Sequence, residues 1–287
     1  MANVDIARHW ASQDIYALIM DSARAAGVPP ESLTQETLAP LDHFHARGFA
    51  STVDLAEKIP IEAKHTVLDI GSGLGGPARY LAKRFGCRIF GIDLTPQFVE
   101  CAVKLTALLG LGDQVSFQEG SALELPFESD TFDGAYSQHV TMNVEDRGRF
   151  FSEAFRVVKP GGYFALSEHG RGEGDAPWFP VPWSEDDVGS YLMQPERTAA
   201  LMEASGFSDI DVEETGEKYL ASYRQMMEMA RQGRLPPIGM HLLMGESGPQ
   251  KVANAARNIA EGRTRPILVT ARNPSQPDRR SRRHDPS

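Results

Sequence analysis

The chain is predicted to fold as an α/β domain around a mostly parallel sheet, and three stretches carry that prediction. An apolar run, Val67-Leu-Asp-Ile70, ends in closely spaced glycines, Gly71-Ser-Gly-Leu-Gly-Gly76, as expected of a buried strand turning sharply into a ligand loop. Pro77 suits the first position of the next helix, where its missing N–H would have no intrahelical partner, and Gly86 ends that helix. The following apolar run, Arg88-Ile-Phe-Gly-Ile-Asp93, closes on a carboxylate about 20 residues beyond the loop, where it can accept both hydroxyls of a ribose. Together these make a Rossmann-like βαβ unit that holds a nucleoside.

The other elements follow in order. Residues 1–60 read as a helical N-terminal lid: Ile6, Trp10, Ile15, Leu18 and Ile19 fall at roughly helical spacing, Gly27-Val-Pro-Pro30 breaks the run, and Val53, Leu55, Ala56 and Ile59 mark a second helical stretch. At its centre, Asp42-His-Phe-His-Ala-Arg-Gly48 can close over the nucleoside. Residues 61–274 form the main domain. Thr95 is expected to cap a helix from Pro96 to near Gly110, with Phe98, Ala102, Leu105 and Leu109 buried. Val115–Gly120 and Phe132–Ser137 read as the third and fourth strands. A helix over about 145–158 buries Phe150, Phe151, Ala154, Phe155 and Val158, and Val158–Ser167 is the fifth strand. The Gly/Pro-rich loop 169–190 is too long for a simple connector and should shape a substrate pocket. After a helix from Pro195 to Gly206, Ile210 and Val212 mark a sixth strand and Pro266–Ala271 the last. Between them, the helical insertion 216–263 is a second substrate cover, its Tyr219, Tyr223, Met226, Met227 and Ala230 stripe reading more as core than as substrate contact. Residues 275–287 read as a disordered tail.

Composition narrows the function classes. At 287 residues the chain can bury one full core, and its net charge of −10 argues against a nucleic-acid binder, since the one basic cluster, Arg279-Arg280-Ser-Arg282-Arg283, sits in the polar tail. No apolar window reaches the ~18 residues of a membrane span, and no signal-peptide pattern opens the chain, so a cytoplasmic protein is expected; a homodimer is compatible with the sequence. Cys87 and Cys101 read as buried small hydrophobes without metal-ligand spacing. No H-x-x-x-H or H-E-x-x-H pattern occurs, and no metal is expected.

Gly71, Gly73 and Gly76 also satisfy the dinucleotide pattern G-x-G-x-x-G. Asp69 decides against it, because a carboxylate there repels a pyrophosphate yet attracts the ammonium and sulfonium of S-adenosylmethionine (SAM). With the downstream strands and Val158-Lys-Pro-Gly-Gly162, the stretch from Val67 to Glu168 resembles the class I SAM-dependent methyltransferases. The resemblance implies a Rossmann-like seven-stranded sheet, the loop of Asp69, Gly71, Ser72, Gly73 and Gly75 on the methionine part, Asp93 on the ribose, Leu94 against adenine, and Ser121 and Ala122 at the adenine amine. The segments Asp42-His-Phe-His45, Gln138-His-Val-Thr-Met-Asn143 and Pro180-Val-Pro-Trp183 look like the sarcosine/dimethylglycine N-methyltransferase-like branch, near the methyltransferases of ubiquinone and menaquinone synthesis.

Methyl transfer from a sulfonium needs neither a metal nor an oxyanion hole, and positioning supplies most of its rate. The candidates for catalysis therefore follow the fourth strand: His139 as a base or hydrogen-bond clamp, with Gln138 and Asn143 orienting a carboxylate or amine; Gln138 also reaches the cofactor. A plain structural histidine is the alternative. His43, His45, Met142 and His169 are candidate substrate contacts. So are Trp178 and Trp183, whose faces suit a methylated ammonium beside Glu185, Asp186 and Asp187, unless they merely pin the loop. The sequence thus points to SAM-dependent methylation of a small metabolite, first of a small amine such as a glycine-derived compound. A quinone precursor, phenolic or other natural product methylated at carbon or oxygen is the alternative. A dehydrogenase and a non-catalytic SAM-binding protein are the competing classes.

Overall fold

The computed structural model describes residues 14–275; Ile6, Trp10 and the basic tail cluster lie outside them. Its centre is a seven-stranded sheet in the order β3-β2-β1-β4-β5-β7-β6. The strands are β1 (Thr66–Ile70), β2 (Arg88–Asp93), β3 (Val115–Glu119), β4 (Phe132–Gln138), β5 (Val158–Arg171), β6 (Ser208–Glu214) and β7 (Thr264–Arg272). All neighbours run parallel except β7, which lies antiparallel between β5 and β6. The order reverses between β1 and β4, so the carboxyl ends of these two strands part and leave a crevice for a ligand.

Both faces of the sheet are covered, and alternation along β1 shows how. Leu68 and Ile70 pack into a core with Phe150, Phe151 and Ala154 of α6 (Arg147–Val157). Val67 turns to the other face, against Leu55 of α3 (Phe49–Lys58) and Ala78, Leu81 and Ala82 of α4 (Gly76–Phe85). Asp69 shares that second face, which fixes its surroundings.

Element boundaries differ from the sequence reading where turns intervene. Helix α5 (Pro96–Leu108) ends just before Gly110, while Thr95 stands at its N-cap without a capping bond from its side chain, its backbone N–H donating to Asp93 Oδ1 at 2.9 Å. Asp146 caps α6, its carboxylate accepting from Arg149 N. β5 runs on to Arg171, four residues past Ser167, so His169 is strand rather than loop and fully buried.

The lid comprises α1 (Ile15–Ala25), α2 (Gln35–Asp42) and α3. It is bolted to the glycine loop through α4. Arg79, fully buried, gives one nitrogen both to Asp42 Oδ2 at 2.8 Å and to the carbonyl of Leu74 at 2.7 Å. Gly76 permits this approach, since a Cβ there would stand 2.5 Å from the Asp42 carbonyl oxygen. After α7 (Pro195–Ala204) and β6, the insertion supplies α8 (Gly216–Arg231), α9 (His241–Met244) and α10 (Gly248–Ala260) before β7. Among the described residues no helix is long and apolar enough to cross a membrane.

Candidate functional site

A cavity of about 400 Å³ opens where the strand order reverses. One end is built by the loops after β1, β2 and β3. Gly71 has φ +81°, and a Cβ on it would lie 2.2 Å from Val140 Cγ2, so only glycine fits between the strand end and Val140. Gly73, also at positive φ, donates its N–H to Asp93 Oδ2 at 2.8 Å. With Thr95 N on the other oxygen, the Asp93 carboxylate is held at the cavity wall with lone pairs to spare for a diol. Leu94, Ser121 and Ala122 continue this wall. Ser121 Oγ accepts from Leu123 N at 3.1 Å and keeps its own proton to donate. A carboxylate between two loops, flanked by apolar and small residues, fits the adenosine of SAM.

Asp69 does not share that wall. Being on the α3/α4 face of β1, it pairs across the sheet with Tyr136 of β4, whose phenol donates to Asp69 Oδ2 at 2.8 Å. Burial, with the Asp93 charge adding to it, pushes its carboxyl up to about 7. Asp69, expected against the methionine part, thus sits behind the loop, bonded to Tyr136 and outside the cavity lining. Ser72 is buried with no hydrogen bond on its hydroxyl, and Gly75 faces Phe117 and Arg79; neither lines the cavity.

The other end is made of imidazoles. His45, His139 and His169 all line it, with His45 stacked parallel on His139 at 5.4 Å between centroids and His169 edge-on to His139 at 5.5 Å. Burial is the main cause that holds all three below the usual histidine range, His45 and His169 down to about 3, so each ring is neutral at neutral pH. His139 adopts φ +58°, a left-handed backbone, while its N–H bonds the Ser167 carbonyl at 2.8 Å. Its Nε2 lies 2.8 Å from the hydroxyl of Tyr219, and His169 Nε2 lies 3.3 Å from that of Tyr223. Gln138, 6% exposed, has its Oε1 bonded by Thr52 at 3.2 Å, which leaves Nε2 without a protein partner. Met142, Met240 and Met244 add soft apolar wall.

The remaining candidates have other duties. His43 is withdrawn from the cavity, its Nδ1 on Thr52 at 2.9 Å and its ring edge-on to Phe49 and Tyr80. Asn143 lines the cavity, yet its amide donates to the carbonyls of Trp183 and Gly189, both at 3.0 Å, and so anchors the long loop. Trp183 stacks on His169 at 4.6 Å. Trp178 lies outside, with the guanidiniums of Arg257 and Arg263 over its ring and hydrogen bonds to Asn258 and Glu261, contacts that pin the loop there. Thr52, Tyr219, Tyr223 and Lys251 were absent from the sequence candidates; the one signal for them was the four-residue spacing of the two tyrosines. Among the described residues Lys251 is the one Lys or Arg in the wall, and it is tied to Glu185 at 2.5 Å. Among the described residues no three His, Cys, Asp or Glu side chains are arranged to hold a metal.

Residues 68–166 match the family model described as methyltransferase domain. Over 114 residues, 40% of this chain, the sequence is 43% identical to a probable chloroplastic tocopherol O-methyltransferase of Oryza sativa, covering 30% of that protein. A phosphoethanolamine N-methyltransferase of Triticum aestivum is 26% identical over 180 residues, 60% of this chain and 34% of that one. The chain spans less than half the length of the curated relatives it matches first. Among solved structures, phosphoethanolamine N-methyltransferase 2 of Haemonchus contortus superposes with a TM-score of 0.70 at 23% identity, over 80% of this chain and 54% of that one. A structure described as a putative sarcosine dimethylglycine methyltransferase of Galdieria sulphuraria gives 0.63 at 19%, over 78% and 83%. These likenesses concern the fold.

Proposed function

We propose that the protein transfers the methyl group of SAM to a small, largely apolar metabolite, on the premise that residues 68–166 match the methyltransferase-domain model and lie on a sheet in the order β3-β2-β1-β4-β5-β7-β6. Bound SAM supplies a methyl carbon made electrophilic by its sulfonium. Asp93 accepts the ribose hydroxyls, Leu94 and Ala122 flank the adenine, and the cavity-lining backbone of Gly71 and Gly73 takes the methionine part. The residues beyond Gln138 hold the acceptor in line and exclude water, which is where the rate arises.

One observation carries the acceptor class. The far wall is built of uncharged imidazoles, thioethers and the Trp183 and Tyr223 rings, while Lys251, its one Lys or Arg among the described residues, is already paired. Such a wall suits a phenolic or other ring-bearing natural product methylated at oxygen or carbon. A second reading, N-methylation of a small amine such as a glycine-derived compound, draws on Glu185 and Asp186 beside the Trp183 face. Transfer of labelled methyl from SAM to a panel of phenols, quinone precursors, glycine, sarcosine and dimethylglycine, read by product mass, separates them. Labelled phenols support the first reading and labelled amines alone the second. Tight SAM binding with no product on any acceptor makes the chain a binding protein.

A further inference from the structure

The two tyrosines of α8 stand one helical turn apart, and each bonds the same ring nitrogen of a different cavity histidine: Tyr219 on His139 Nε2 and Tyr223 on His169 Nε2. Hydrogen-bond counting gives the direction of the Tyr223 contact, and distance that of the Tyr219 contact. Among the described residues Tyr223 has no other hydrogen-bond partner, so its buried proton goes to His169 Nε2 or is left unmade. Tyr219 has the Ser51 hydroxyl at 3.3 Å and the Ser167 hydroxyl as further neighbours, and its contact to His139 Nε2, at 2.8 Å the shorter of the two measured, falls at the distances of a phenol O–H donor. Burial keeps both phenols protonated, Tyr219 being pushed up to about 12 and Tyr223 higher still. A neutral imidazole has one N–H. With Nε2 accepting, that hydrogen sits on Nδ1 in both rings.

Among the described residues those Nδ1 atoms have no hydrogen-bond partner. His169 Nδ1 is buried and unbonded, as is Gln138 Nε2, and no described protein atom bonds His139 Nδ1. We propose that Tyr219 and Tyr223 make His139 and His169 hydrogen-bond donors rather than bases, so that with Gln138 they form a three-donor pocket for an anionic oxygen, the phenolate or enolate of the acceptor. This rests on the methyl-transfer reading for its purpose, though not for its geometry. The acceptor gives its proton to bulk water as it binds as the anion. In the transfer the carbon–sulfur bond then breaks with its electron pair going to sulfur and an oxygen–carbon bond forms, with no proton left for the protein to remove. Tyr219 lies outside the cavity wall and is a positioning residue, acting through His139.

Long-range nitrogen-15 spectra of the histidine-labelled full-length protein, with no ligand added, read the tautomers directly. Nδ1–H is expected on both His139 and His169 at neutral pH, and Tyr219→Phe and Tyr223→Phe should each turn the facing ring into a tautomeric mixture while leaving the other unchanged. The second arm titrates para-nitrophenol against excess protein by its phenolate absorbance. The bound probe should ionise about one pH unit lower than the free one, and Tyr219→Phe should abolish most of that shift. Nε2–H on either ring in the unsubstituted protein, or a phenol that is not acidified, overturns the proposal. Neither readout involves methyl transfer, so a failed label-transfer panel would remove the activity and leave the donor pocket standing.

Discussion

Gly71 occupies a point where backbone conformation and space are both limiting. A methyl group there must take a left-handed φ and overlap Val140. Gly71→Ala is therefore expected to cost about 1–3 kcal/mol of stability and to weaken SAM binding at least ~10-fold by calorimetry, about the 1.4 kcal/mol of one lost contact. Wild-type affinity in a folded variant would mean that the methionine part lies elsewhere. Asp93→Ala tests the ribose directly: Gly73 N–H and Thr95 N–H lose their acceptor along with the diol, so titration should show a loss of ~10-fold or more, and unchanged affinity removes the ribose assignment. His139→Ala should lower kcat while SAM affinity stays within about twofold, since the ring stands at the acceptor end of the cavity.

Among the elements, the segment between β4 and α6 does the most joining. Asn143 holds the loop 172–190 by two carbonyls, so Asn143→Ala should speed proteolytic cleavage within that loop and raise KM for the acceptor more than it lowers kcat. Directly behind, Arg147 and Glu168 form a fully buried ion pair at 2.8 Å, supported by Thr141 and Thr198. Arg147→Leu strands the carboxylate, and urea unfolding should show a loss of about 3–5 kcal/mol; a loss below about 1 kcal/mol would show that water reaches Glu168. Strands and helices of this kind are legible in sequence, because alternation at Val67–Ile70 and the stripe at Phe150–Val158 record which faces are buried. Asp93 was legible too, by its distance from the glycines. The partner of Asp69 was not legible, because Tyr136 is brought to it by strand pairing 67 residues away. Tyr219 and Tyr223 read as core because nothing in their helix says that its inner face meets two histidines from other strands. Trp178 had the right composition for a cation site, and Arg257 and Arg263 already fill it.

For the molecule as a whole, burying neutral histidines makes folding sensitive to acid. His43, His45 and His169 are held down to about 3 and His139 well below its usual value, burial being the first cause in each. The unfolded chain, with pKa near 6.5, binds the extra protons, so their contribution is complete above about pH 6.5 and declines as pH falls. Asp42, Asp69 and Asp93 act in the opposite sense, since burial raises them and stability gained at low pH is lost as pH rises, for Asp69 through about 7. Four large histidine shifts outweigh them. The melting temperature should drop by about 5 °C or more between pH 7 and pH 5; a flat or rising profile would contradict neutral burial of the cluster. The bolt through Arg79 has a different consequence at this scale. Because one guanidinium nitrogen grips both Asp42 and the Leu74 carbonyl, whatever orders the glycine loop also orders the segment that carries His45. Two ligands that meet at opposite ends of one cavity are then thermodynamically coupled, each raising the affinity for the other by the same factor. Binding at either end then favours binding at the other to the same extent, through a side chain that touches neither.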